Sequence, residues 1–112
     1  MSNVAPINLP AVLITSGETL VGQVPAGKEW NVAVVRFCNF DVADHQITIV
    51  TYDPGGEAFD NTRTEYKDLT LLAKTTFEYG PAILSQNKKI SAIANTSGSV
   101  INARVHGWEV TP

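Results

Sequence analysis

The chain has 112 residues, of which 44% are hydrophobic and only 17% charged, and its net charge is −3. That length suits one domain with a modest core, and an acidic balance without a basic patch argues against nucleic-acid binding. A lone cysteine, Cys38, excludes an intrachain disulfide, and no run approaches the ~20 apolar residues of a membrane helix.

The first ten residues contain Pro6 and Pro10 and little periodicity. Each proline fixes φ and removes an N–H, which favours an extended arm over residues 1–10. The arm has no basic n-region and no long apolar stretch, so no secretory signal is expected and synthesis in the cytoplasm of a host is. Its apolar and proline side chains, Val4, Pro6, Ile7, Leu9 and Pro10, are the candidate partner-binding residues. A single domain is expected over residues 11–112.

From residue 11 onward the spacing predicts strand after strand. A short apolar run over 11–15 is followed by alternation over 18–24, which the turn Pro25-Ala26-Gly27-Lys28 closes. Residues 29–40 alternate longest. Trp30, Val32, Val34, Arg36, Cys38 and Phe40 are assigned to one face, with Asn31, Ala33, Val35, Phe37 and Asn39 opposite. The stretch 45–52 is rich in β-branched residues. The polar connection 58–67 leaves a helical turn and an irregular edge strand over 62–72 both open. Strands are further expected over 69–72, 75–79, 82–84 and 88–95. Residues 96–99 then read as a tight hairpin connection into a last strand, 100–110. That strand carries Ile101, Ala103 and Val105 on one side and Asn102, Arg104, His106 and Trp108 on the other. Short strands at this spacing, joined by Gly, Pro and Ser turns, imply an all-β fold, an antiparallel β-sandwich of about eight strands, jelly-roll-like.

A search for chemistry returns little. The two histidines, His45 and His106, sit in no nucleophile motif. Cys38 lies in an alternating run and reads as a packing residue. Asp53, Glu57 and Asp60 crowd one loop without the spacing of a calcium loop. Catalytic residues, cofactors and metals are therefore all expected to be none, and the chain is expected not to be an enzyme. Trp30, Tyr52, Tyr66, Tyr79 and Trp108 are candidate stacking platforms for carbohydrate, weighed against their use as core.

Several segments together resemble small structural proteins of tailed-bacteriophage virions. These are Val24-Pro25-Ala26-Gly27-Lys28 leading into a long strand that ends Arg36-Phe37-Cys38-Asn39, and the layout of residues 71–81. To them are added Leu84-Ser85-Gln86-Asn87-Lys88-Lys89-Ile90-Ser91-Ala92, with Gln-Asn where the pattern has Gly-Asp, and the closing Val105-His106-Gly107-Trp108-Glu109-Val110. The resemblance implies a non-enzymatic head-decoration (cement) protein on the capsid surface that bridges capsomers. Its implied partners are the major capsid protein and further copies of itself, commonly as a trimer, with no nucleic acid and no membrane. A tail or fibre module that binds host-surface carbohydrate is the alternative. The resemblance carries over no functional residues, because its motifs are turns and strand edges.

Overall fold

The structure is a computed structural model and describes residues 3–54, 64–96 and 98–112. Its ten strands are β1 (Asn3–Pro6), β2 (Val12–Ile14), β3 (Thr19–Gln23), β4 (Glu29–Asn39) and β5 (His45–Tyr52), followed by β6 (Thr64–Leu71), β7 (Thr75–Tyr79), β8 (Ala82–Leu84), β9 (Lys89–Ala94) and β10 (Ile101–Thr111). They form two antiparallel sheets. In one, β10 and β4 are central, β1 and β2 both pair with β10, and β7 and β8 both pair with β4; the other has the order β3-β9-β5-β6. Each of those two pairs occupies a single edge position, so the ten strands fill eight places.

Except for the β5–β6 pair, the chain changes sheet at every step between these places, which is the wiring of a jelly roll. The β-sandwich expected from the turn spacing is the fold. Residues 96–99, expected as a tight hairpin connection, instead lie between strands of different sheets, because β9 and β10 do not pair.

The inner faces meet in one core. Trp30, Phe37, Ile14, Ile49, Ile90 and Ile101 are among its largest members, all at most 1% exposed. Turn chemistry acts where the sequence placed it. Lys28 N–H donates to Pro25 O, and Gly27 sits at φ 77° in the third position, which a turn of this type reserves for glycine. Residues 64–71 form the irregular edge strand, with register shifts against β5 and Asp68 at φ 52°. The possible helical turn in 58–67 falls mostly outside the described residues.

The longest strand departs from simple alternation. Gly107 pairs with Val32 and His106 with Val34, so Ala33 is an extra residue, a β-bulge. A bulge reverses the phase of the strand. Trp30 and Val32 point inward before it, and Val35, Phe37 and Asn39 point inward after it. Trp30 and Val32 therefore do not share a face with Val34, Arg36 and Cys38, as strict alternation predicts. Glycine flanks the bulge on both sides. A Cβ on Gly107 would collide with the carbonyl oxygen of Asn31, and one on Gly80 would lie 2.9 Å from that of Ala33. The break between β7 and β8 falls at Gly80-Pro81, beside this bulge.

The expected N-terminal arm is extended. Its residues Asn3–Pro6 lie along β10 of the same chain, and Ile7 N–H donates to Gly107 O over 2.9 Å.

Candidate functional site

Two surface regions combine exposed apolar side chains with a firmly held backbone. The first is the end of the sandwich where β4 leaves for β5 and β6 turns into β7. Asn39, fully buried, organises it. Its side-chain amide donates to the carbonyls of Ala43 (3.0 Å), Leu71 (2.9 Å) and Leu72 (3.3 Å), while its oxygen accepts from Asp41 N–H. Asp44 accepts from Ala73 N–H at 2.8 Å. Lys74 closes the pair of loops, with its backbone N–H donating to Asp41 O and its ammonium to Phe40 O. From these joined loops project Phe40, Val42 and Leu72, of which Val42 is 82% exposed. Large apolar groups held outward on a rigid frame are a common mark of an interaction site.

His45 belongs to this frame. Its Nε2 lies 2.8 Å from Asp41 Oδ2. That hydrogen bond, helped by Val42 N–H, holds the Asp41 carboxyl below its ordinary value. A group whose folded value is depressed contributes stability above its unfolded value, and loses it as pH falls through the folded one. His45→Ala is expected to move the Asp41 titration upward, back toward the ordinary carboxylate value, as read by NMR. A titration curve that does not move would show that His45 is not the cause.

The second region is the outer face of the sheet built on β10 and β4. β10 alternates without interruption, so Asn102, Arg104, His106 and Trp108 share this face as expected. In register across the sheet lie Pro6, Trp108, Asn31 and Ile83. Trp108 is 52% and Ile83 72% exposed. Between them runs an open groove of about 560 Å³, lined also by Asn31, Ala33, Pro81 and Ala82. Two positions along the same face, beyond His106, Arg104 pairs with Arg36, and Arg36 pairs with Glu78. Glu78 Oε2 accepts from Arg36 Nε at 3.3 Å and Nη2 at 3.1 Å.

The remaining candidates are distributed differently. Trp30, 1% exposed, is core, and its indole N–H donates to Glu109 Oε1 at 3.1 Å. Tyr52 is buried, and its hydroxyl donates to Glu18 Oε1 at 2.8 Å. Tyr66 packs edge-on against Phe77 and Tyr79 at the side where the two sheets meet. Burial first, then the nearby Glu65 carboxylate, push the Tyr79 hydroxyl up to about 12. Of the five aromatics, Trp108 lines the open groove. Cys38 is half-buried on the outer face rather than in the core. In the arm, Val4, Pro6 and Pro10 are exposed, whereas Ile7 and Leu9 pack against the chain's own core. Among the described residues no three His, Cys, Asp or Glu gather as a metal site would require. The loop of Asp53, Glu57 and Asp60 lies mainly outside the described residues.

Compared with known protein families, curated proteins and solved structures, the chain matches none.

Proposed function

We propose that this chain is a non-enzymatic structural protein that attaches to a larger protein assembly through the Phe40–Val42–Leu72 end of the sandwich. The observation that carries the reading is three exposed apolar side chains on loops locked by Asn39, Asp44 and Lys74. Preorganised loops lose little conformational freedom on docking, which removes the ordering part of the cost of association. The setting that the sequence resemblance favours is a phage head. There the partners are the major capsid protein and further copies of this chain, commonly three, located at the capsid surface.

The test is co-sedimentation with capsids of the phage that encodes the chain, together with light scattering of the isolated protein. A Val42→Asp, Leu72→Asp variant is expected to bind at least about a hundredfold more weakly, as removal of central apolar anchors does. Its circular dichroism should stay native, because both side chains are exposed. Undiminished capsid binding by that variant would overturn the reading. Val4→Asp examines the arm separately: exposed and at the sheet edge, it should lower oligomer size if the arm joins copies.

A second reading, a tail or fibre module that binds host-surface carbohydrate, is favoured by one observation. Trp108 presents its ring in an open groove beside the amide of Asn31. Apolar walls with a few convergent polar groups suit a small ligand.

A further inference from the structure

Arg104 and Arg36 face each other directly across β10 and β4. Side chains so placed stand about 5 Å apart at Cβ, and like charges there are destabilising. Glu78, among the described residues, is hydrogen-bonded to Arg36 and not to Arg104. Among the described residues Arg104 has no acidic partner, and both members of the Arg36–Glu78 pair are about half exposed. A local surplus of positive charge thus stands uncompensated on a protein whose net charge is −3.

The surplus shares a strand face with Trp108. Arg104, His106 and Trp108 project from alternate residues of β10, which places the arginine roughly 13 Å from the tryptophan at ~3.4 Å per residue. Such a face offers an aromatic platform, then an imidazole, then a guanidinium, with the amides of Asn31 and Asn102 beside them and the carboxylate of Glu29 at the end away from the arginine. A purely apolar partner would leave the arginine unanswered.

We propose that this face binds an acidic oligosaccharide, a sugar chain bearing carboxylates. One ring lies against the Trp108 indole in the groove, and a carboxylate farther along the chain pairs with Arg104. The separation calls for more than one sugar unit. Ala33 and Pro81 line the groove beside Trp108 without polar side chains, and a guanidinium fork matches a carboxylate in two hydrogen bonds. The inference rests on the carbohydrate reading of the groove and does not involve the Phe40–Val42–Leu72 end.

The experiment titrates the full-length protein with galacturonate and mannuronate tetramers, sialyllactose, a neutral cellotetraose and an oligoglutamate peptide. Binding is followed by calorimetry and by tryptophan fluorescence, where the buried Trp30 gives a constant background. Saturable binding of at least one acidic sugar is expected, about tenfold or more weaker for Arg104→Gln and for Trp108→Ala, and weakened by salt. The neutral tetramer is expected to bind about tenfold more weakly than the acidic one. Equal binding of the neutral tetramer would overturn the acidic specificity and leave carbohydrate binding standing. Absence of saturable binding by every sugar up to about 10 mM would overturn both. Binding of oligoglutamate as tight as the best sugar would make the face a peptide site and overturn the proposal. Both variants change exposed side chains, and circular dichroism and light scattering establish that they fold as the parent does.

Discussion

Gly107→Val is expected to abolish stable folding, and Gly107→Ala to lower stability by roughly 3–5 kcal/mol, a large part of the ~5–15 kcal/mol of an ordinary domain. The first β-carbon alone is the difficulty. It would meet the carbonyl oxygen of Asn31 well inside contact distance, and would stand 2.9 Å from both Ala33 N and Val32 Cα. All three obstacles are backbone, so no rotamer change relieves them. Relief requires β4 and β10 to separate where their ladder is longest. Gly17→Ala is the control, since its nearest non-neighbour atom is 3.9 Å away. It should fall within about 0.5 kcal/mol of the parent, as surface changes usually do. Urea unfolding of the parent, Gly107→Ala and Gly17→Ala decides the matter. Equal midpoints for Gly107→Ala and Gly17→Ala would show that the two strands can part at the bulge without loss.

The same bulge explains where sequence reasoning succeeded and where it failed. Period-two patterning marks β4 from Glu29 to Asn39 without ambiguity, and the Pro25–Lys28 turn gives its start. The phase of its faces cannot be read past Ala33, because the extra residue is accommodated by Gly80 and Gly107, which are remote in the chain. β10 contains no such insertion, and its outer face of Arg104, His106 and Trp108 was legible throughout. A tryptophan among polar residues on one strand face was the available signal for the groove. Ile83, Pro81 and Ala33 complete it only through pairing across the sheet. The Phe40–Val42–Leu72 end left still less trace. Its frame is made of side chain to backbone hydrogen bonds between segments some thirty residues apart, such as Asn39 with Leu71 and Asp44 with Ala73. Composition and periodicity carry no information of that kind.

The two surfaces occupy different parts of the fold, which has a functional consequence. One is an end of the sandwich, built from loops; the other is a sheet face near the opposite end of β4 and β10. A jelly roll with an apolar attachment end and a separate binding face can be anchored and still present that face to solvent. The two proposed roles, attachment through the loops and ligand binding at the sheet face, do not compete for surface, and variants at Val42 and at Arg104 should affect them independently, as changes at distant sites do.

Asn39→Ala is expected to destabilise the protein by about 2–4 kcal/mol and to loosen the attachment end before the rest unfolds. Asn39 is fully buried, and its amide serves the carbonyls of Ala43, Leu71 and Leu72. Removing the donor takes this partner from the carbonyls of Ala43 and Leu71 at the junction of two loops, while Leu72 O keeps the N–H and hydroxyl of Thr75; each buried group left unsatisfied counts for about 1–3 kcal/mol, less whatever water restores. Asn39→Asp keeps the shape and separates packing from hydrogen bonding. A carboxylate set among three carbonyl oxygens in a buried site is disfavoured in its charged form, so the folded value of this aspartate is raised above the unfolded one. Its neutral form is tolerated below the unfolded value, and stability falls as pH rises from there through the folded value. The aspartate variant should therefore approach the parent in acid and lose ground progressively toward neutrality, whereas the deficit of Asn39→Ala should not follow that curve. Denaturation midpoints across pH, with hydrogen exchange at Asp41, Ala73 and Lys74, test both statements. A pH-independent difference between Asn39→Asp and the parent would mean that the loops rearrange around the charge. The rigidity attributed to the Phe40–Val42–Leu72 end would then not depend on this residue.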